Sequence, residues 1–351
     1  MKIVHASDLH LDSPLRGLPL RPGVDRSAFQ KASRKTLRRL VDLCLAQRAA
    51  LLVLSGDLVD ASRRSVSTGL FFIEQMLRLE ATSTEVVMVR GNHDAANPTV
   101  PCWLLPQFVK QLGVEGSETH RYDGLGVAVH GASYPARRTP FSLLATYPSP
   151  VPSYANFGLL HTSAEGREGH ESYAPCTRRQ LKERGYDYFA LGHVHRPEVL
   201  SRTPWVVFSG TPQGRAIRDT GPRGAVIVNV AGTKVVRVEF VALDVVRFVS
   251  VAVSLENVRV LDDLLEAVAA SMPAVCGSIT YRALVVRLVL QGPALSVLLS
   301  SPVGWRAELL VRAVAPSAPV PVWLESVWAE LTVPVRSRFR LDAPAPALEV
   351  G

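Results

Sequence analysis

A chain of 351 residues with 47% apolar content can bury a core without disulfide or metal staples, and its length points to two domains. Its four cysteines, Cys44, Cys102, Cys176 and Cys276, share no short spacing, which argues against a disulfide framework or a zinc knuckle and for a reduced, cytoplasmic setting. A net charge of +8 favours polyanionic partners, nucleic acid first, and no run is apolar enough for a membrane span: the greasiest, 281–300, is broken by Arg282, Arg287, Gln291, Gly292 and Pro293.

The N-terminus, MKIVHASDLHLD, is too short in apolar residues for a signal peptide, and Lys2–Ala6 reads as a strand ending in a polar loop. From Asp25 to Gln47 the apolar residues Phe29, Leu37, Leu40, Val41, Cys44 and Leu45 recur at helical spacing. Leu51–Leu54 is a continuous apolar run, as in a buried strand, ending in Ser-Gly-Asp. Leu70–Leu79 is expected to be helical, and Glu85–Val89 a strand ending at Arg-Gly-Asn-His-Asp. Strands are also expected at Val127–His130, Phe157–His161, Tyr188–Gly192 and Trp205–Phe208, then a hairpin of Ala225–Val230 and Lys234–Phe240 around Ala231-Gly232-Thr233. The expected fold class up to residue 242 is therefore α/β, with several strands ending in polar clusters, where open α/β sheets place their ligands.

A different block, 245–335, reads as a small α+β unit. Leu261–Ala270 is expected to be helical, with Asp262, Asp263 and Glu266 near its start, where carboxylates suit the helix dipole. Leu284–Leu290 and Trp323–Val333 are expected strands, and Leu295–Ala313 fits either state. The block contains no histidine and no catalytic grouping, and the tail 336–351, ending in an Ala-Pro-rich run, is expected to be disordered.

Five motifs stand in order: Asp8-Leu9-His10, Gly56-Asp57-Leu58-Val59-Asp60, Gly91-Asn92-His93-Asp94, His161 after Gly158-Leu159-Leu160, and Gly192-His193-Val194-His195. Each is weak alone; all five at strand ends make a strong signal. Two divalent cations about 3.5–4 Å apart clamp a phosphoryl group for in-line attack, and they require one shared carboxylate. Asp57 is the candidate for it. One metal is assigned to Asp8, His10, Asp57 and His195, the other to Asp57, Asn92, His161 and His193. Mixed oxygen and imidazole donors suit manganese, iron or zinc better than magnesium or calcium. His93 is kept off the metals, as a proton donor or transition-state stabiliser, with Asp60 as the partner that fixes its tautomer. Gly56, Gly91 and Gly192 are expected where the backbone turns sharply. His130 competes with His161, which the Gly-Leu-Leu-His-Thr-Ser context favours. His5 reads as core or support, His120 as surface, and His170 as a weak substrate candidate.

The stretches MKIVHASDLHLDSPLRGL, LVLSGDLVD, VMVRGNHD, NFGLLHTSAEGREGHESYAPC, DYFALGHVHRPEVL and FSGTPQGRAIRDTGPRGAVIVNV resemble the calcineurin-like metallophosphoesterase superfamily, and within it the SbcD-type and YhaO-like repair nucleases. The resemblance is firm over 1–240 and loose over 245–335. It implies a four-layer catalytic domain, two mixed sheets flanked by helices, followed by a small cap that helps select DNA. It matches the metal and His93 roles assigned above and implies manganese as the metal. It also implies dimerisation through helices near Leu70–Leu79 and Leu104–Leu112, and an SbcC-like coiled-coil ATPase as partner. Longer relatives reach that ATPase through helices beyond the cap; this sequence stops soon after it, so such a partnership is in doubt or needs another surface. Ser209-Gly210-Thr211 replaces the family's Pro-Gly-Asn-like turn, with little consequence expected.

Arginines gather near the motif loops: Arg63, Arg64, Arg137, Arg138, Arg167, Arg196, Arg215 and Arg218. Loops at one sheet edge share a face, so these charges suit a sequence-independent phosphate track. Tyr134 and Tyr173 are candidates to stack on unpaired bases; Trp205 is expected in the core. The function expected first is a manganese-dependent DNA nuclease in end processing or repair, cytoplasmic and associated with the nucleoid. A phosphoesterase for a small diester or a phosphoprotein stands second, and a non-catalytic scaffold, which predicts eroded ligands, stands last.

Overall fold

The computed structural model describes residues 1–15, 31–62, 65–100, 103–113, 115–164, 173–272, 281, 283–292, 320–331 and 337–340. Their contacts divide the chain into two units. The first comprises 1–14 and the described residues of 31–213 and 222–244; the second takes Gly214–Gly221 and the described residues from Val245 on. No helix among the described residues is long and apolar enough to cross a membrane.

The first unit carries two six-stranded mixed sheets. In one, β1 (Lys2–Ala6), β2 (Leu51–Ser55), β3 (Glu85–Val89) and β4 (Val109–Gln111) run parallel, and the hairpin β11 (Gly224–Ala231) and β12 (Lys234–Ala242) adds on antiparallel to β1. In the other, β6 (Val127–Gly131), β7 (Ala155–His161), β8 (Tyr188–Gly192) and β10 (Trp205–Phe208) run parallel, edged by antiparallel β5 (Glu118–Tyr122) and β9 (Glu198–Arg202).

The apolar runs of the central strands are explained by burial on both faces. In β2, Leu52 and Leu54 pack under α1 (Ala32–Gln47) and α2 (Val66–Leu77), against Leu37, Leu40, Val41, Phe72 and Met76. Leu51 and Val53 point the other way, into the core between the sheets with Val127, Val129, Phe157, Leu159 and Tyr188. The far face of the second sheet, Leu160, Phe189 and Leu191, is closed by Leu143 and Leu144 and by Leu181 of α3 (Arg178–Glu183). Helices, sheet, sheet, helix and loops make the four layers.

Two expectations on helices change. α2 starts at Val66, four residues early, because Ser65 is already extended and starts the helix; the segment Arg78–Thr82 finishes it as a 3-10 turn. Leu104–Leu112 is not helical: Pro106 disfavours helix at the residue before it, and Val109–Gln111 pairs with β3. The edge strands β5 and β9 have the sequences ETHRY and EVLSR, with too few apolar residues to show as strands in sequence.

The second unit holds a sheet in the order β13 (Val246–Ser254), β14 (Ala283–Gln291), β15 (Val322–Leu331), β16 (Ser337–Arg340), the first three parallel. The crossover from β13 to β14 carries α4 (Leu261–Ser271), whose Leu264 and Val268 pack on Val249, Val251, Leu284 and Val286. Two boundaries differ from those drawn on the sequence. Gly214–Gly221 joins this unit through a Thr220–Phe248 bridge, and β16 continues regular structure past residue 335. The ambiguous stretch 295–313 and the tail 341–351 lie outside the described residues.

Candidate metal centre

All five motifs sit at the carboxyl ends of adjacent strands. β1, β2 and β3 pair in register at Ala6, Leu54 and Met88, which places Asp8, Asp57 and Asn92 on one edge. β7 and β8 pair His161 with Gly192, which brings His193 and His195 beside it. To aim these side chains the backbone leaves the usual regions: Asp8, His10, Asp57 and His193 have φ of 53°, 41°, 54° and 95°.

Asp8 is 0% exposed, His10 1%, Asp57 2% and His161 0%. Asp57 Oδ2 lies 3.6 Å from His10 Nε2 and 3.5 Å from His161 Nε2, between the two imidazoles as a shared carboxylate must be. Asp8 Oδ1 lies 3.9 Å from His10 Nε2 and 4.0 Å from His195 Nε2. Asn92 Oδ1 is 3.0 Å from His161 Nε2. Donor atoms that share an ion at about 2 Å stand roughly 3–4 Å apart, so this set fits two adjacent metal ions. The groups Asp8, His10, His195 and Asp8, Asp57, His161 each converge within 4.8 Å, and a third, His10, Asp60, His93, adjoins them. The His193 ring lies 5.2 Å from that of His161, edge to face.

The surroundings prepare these donors. His161 Nδ1 is 2.9 Å from the Ser55 carbonyl, so Nδ1 carries the proton and the Nε2 lone pair faces Asp57. Burial opposes charge on Asp8, but His161, His195, the Ser7 hydroxyl and His193 hold its carboxyl below the usual range. The turn 209–211, expected to matter little, supports this residue: Thr211 Oγ1 donates to the Asp8 carbonyl at 2.8 Å, and Ser209 meets Ser7 at 2.9 Å.

The glycines matter for a reason other than the one expected. Of Gly56, Gly91 and Gly192, only Gly56 has a left-handed φ, +88°. At Gly91 a Cβ would stand 2.2 Å from Asp57 Oδ1, and at Gly192 2.0 Å from the Ser55 carbonyl. Close approach of strand ends, more than sharp turning, excludes a side chain there.

His93 is 27% exposed at its side chain and His195 20%, so the site opens on their side. The tautomer-fixing bond expected from Asp60 is replaced. Asp60 Oδ1 is 3.9 Å from His93 Nδ1, while the Ala61 N–H donates to that nitrogen at 3.3 Å. Asp60 accepts hydrogen bonds from Ser13 and Ser62 and supplies charge near His93. His130 is excluded from the site: Thr119 and Asn156 take its two nitrogens at 2.8 and 3.0 Å, and Tyr186 stacks on it. His5 is a core residue held by Tyr188 and Ser55, its pKa lowered to about 3 by burial. His120 is half-buried beside Tyr122.

Tyr134 is fully buried with its ring edge-on to His161, which removes it as a base-stacking residue. Tyr173, half-buried, lies 5.3 Å from the His193 ring. Trp205 is half-buried, with Arg202 over its ring. Of the arginines, Arg137, Arg138 and Arg196 are exposed in the first unit. Arg215, half-buried, and Arg218, exposed, fall in the second unit, so a single face shared by all does not follow from the first unit's sheet edge. Arg63, Arg64, Arg167 and His170 lie outside the described residues.

The sequence reading missed two supports. Asp12 receives a bidentate bond from Arg34 and one from Thr68 Oγ1, which ties the loop after His10 to both helices. Asp94 is 0% exposed, and burial pushes its carboxyl up against the pull of backbone N–H bonds. An acid three residues after a helix-starting glycine is a capping signal that the motif already displayed.

This cage on this fold defines a metal-dependent hydrolase of the phosphoesterase type, and comparison with known proteins agrees. Residues 1–197 match the calcineurin-like phosphoesterase family, and 248–332 match the middle domain of the metallophosphoesterase YhaO. The chain belongs to the calcineurin-like phosphoesterases, in their YhaO-like branch. It is 31% identical over 314 residues to the metallophosphoesterase YhaO of Bacillus subtilis, covering 88% of this chain and 76% of that one. It is similar to the DNA double-strand break repair protein Mre11 of Methanopyrus kandleri, 26% identical over 61% of this chain and 49% of the relative. Mre11 of Saccharolobus solfataricus is 25% identical over 56% of this chain and 49% of its own length, so this chain spans about half of these two proteins.

Proposed function

We propose that this protein hydrolyses phosphodiester bonds of DNA with two divalent metal ions, manganese before iron or zinc. The observation that carries the reading is Asp57 Oδ2 placed between His10 and His161, 3.6 and 3.5 Å away. One ion falls to Asp8, His10, Asp57 and His195, the other to Asp57, Asn92, His161 and His193. When bound there, the pair supplies Lewis acidity to the phosphoryl group and acidifies water. The protein's own part is orientation and proton supply. Since the Ala61 N–H occupies His93 Nδ1, the ring carries its proton on Nε2, from which it donates a hydrogen bond to charge developing on a phosphoryl or leaving oxygen. Asp60 Oδ1, 3.9 Å from Nδ1, places a carboxylate beside that ring.

DNA as substrate is supported by the net charge of +8, by exposed Arg137, Arg138 and Arg196, and by relatives named for double-strand break repair. A sequence-independent grip on phosphates has affinity that falls steeply with salt. The same reading places the protein in the cytoplasm at the nucleoid, with an SbcC-like ATPase as partner. It also gives α2 a dimer role: Val66, Leu70, Ile73, Trp103 and Leu104 line an apolar groove of about 390 Å³, with Leu70 62% and Leu104 88% exposed.

The test is cleavage of linear duplex, hairpin and single-stranded DNA with added manganese, beside a chromogenic phosphomonoester. Salt-sensitive DNA cleavage is expected. Turnover of the monoester alone would favour a small-molecule or phosphoprotein phosphatase, and metal binding without any turnover a scaffold. His93→Ala is expected to keep both metals and lose on the order of 10²-fold or more of cleavage. Normal cutting by that variant would remove His93 from the chemistry.

A further inference from the structure

The two loops that bring Asp57 and Asn92 together are laced by an exchange of carboxylates. Asp57 Oδ1 accepts the backbone N–H of His93 at 2.9 Å, so the first loop's carboxylate holds the second loop. In return Asp94, from the second loop, accepts the N–H of Val59 on Oδ1 at 3.0 Å and that of Gly91 on Oδ2 at 3.0 Å. Both Asp94 oxygens are therefore committed, and the side chain is fully buried. There is no slack between the loops, since a Cβ on Gly91 would strike Asp57 Oδ1 and the Asp57 nitrogen at 2.2 and 2.7 Å.

We propose that Asp94 is a positioning residue that sets the affinity of one of the two metal sites and leaves the other alone. The proposal rests on the two-metal reading above. The site assigned to Asp57, Asn92, His161 and His193 takes a donor from each laced loop, so its geometry depends on their spacing. The site assigned to Asp8, His10, Asp57 and His195 takes none from 91–94. Holding two donors at the required distance in advance removes the ordering cost from binding. Without the Asp94 link, the Asn92 side would pay that cost and the His10 side would not.

Manganese titration of wild type, Asp94→Asn and Asp94→Glu, followed by the spin-resonance signal of free manganese, separates the two sites. Wild type is expected to take up two ions. Asp94→Asn keeps one acceptor oxygen but turns its amide donors toward an N–H; it should bind the first ion with unchanged affinity and the second at least tenfold more weakly. Asp94→Glu retains two acceptors and should fall between; if the Asn variant does not fold, it carries the test. A second site of wild-type affinity in either variant with native circular dichroism overturns the proposal. So does equal weakening of both sites, which is what a merely structural role would give. Wild type that binds fewer than two ions would sink the two-metal reading itself, a separate result.

Discussion

The two units handle buried charge in opposite ways. In the first, the buried Asp8, Asp57, His10 and His161 crowd together, and four of the proposed ligands sit in left-handed backbone that costs of order 1 kcal/mol or more for a residue other than glycine. In the second, no described residue other than glycine has a positive φ. Its buried acid Glu325 is met by Arg287 through two bonds of 2.9 Å, and Arg287 also lies over the Trp328 ring. A neutralised pair serves the fold; a cluster of acids and imidazoles held at 3.5–4.0 Å by strained backbone suits metal ions.

This contrast can be broken most directly at Gly91. Gly91→Ala must push Asp57 aside, so it is expected to lose metal and about 10²-fold of cleavage, as a displacement of that size does in active sites. Metal analysis and manganese-dependent turnover check it; full metal content with normal turnover would show that the cage has room the distances deny. The second unit should answer differently. Glu325→Ala leaves Arg287 without its carboxylate and should lower stability by about 3 kcal/mol in urea unfolding, with metal content and cleavage intact. A fall in metal content would show that charge in the second unit also serves the cage.

The smallest effect concerns His5, buried in the first unit but outside the cage. Its folded pKa of about 3 lies below the ordinary 6.5, so the unfolded chain binds a proton that the folded chain refuses. The stability from neutral His5 is complete above pH 6.5 and is lost as pH falls from there toward about 3. Relative to His5→Gln, wild type should lose about 2 kcal/mol between pH 7 and pH 5 in metal-free protein. A flat difference would place the histidine in a wetter setting than its bonds to Tyr188 and Ser55 imply.

Much of the fold was legible because its central strands are buried on both faces. Leu51–Leu54, Tyr188–Gly192 and Trp205–Phe208 are unbroken apolar runs, and each appears as a strand within a residue of its expected bounds. The two edge strands of the second sheet were not legible: β5 and β9 have one protected side and little apolar content to mark them. At the site, motif order suggested a set of residues that the strand ends bring together, but not why Gly91 is glycine or what Asp94 holds.

The linear order of residues was enough to propose the donors, since aspartate, asparagine and histidine after apolar runs signal strand ends whatever the neighbours. Which strand ends meet depends on pairing between segments up to about two hundred residues apart, and no local pattern carries that. Only the folded chain showed the bonds that hold His130 away from the site, moved the tautomer-setting bond of His93 from Asp60 to Ala61, and turned Asp94 from a motif letter into a clamp. Each of those outcomes is a matter of a few ångströms between distant backbones, and register and sheet packing set such distances.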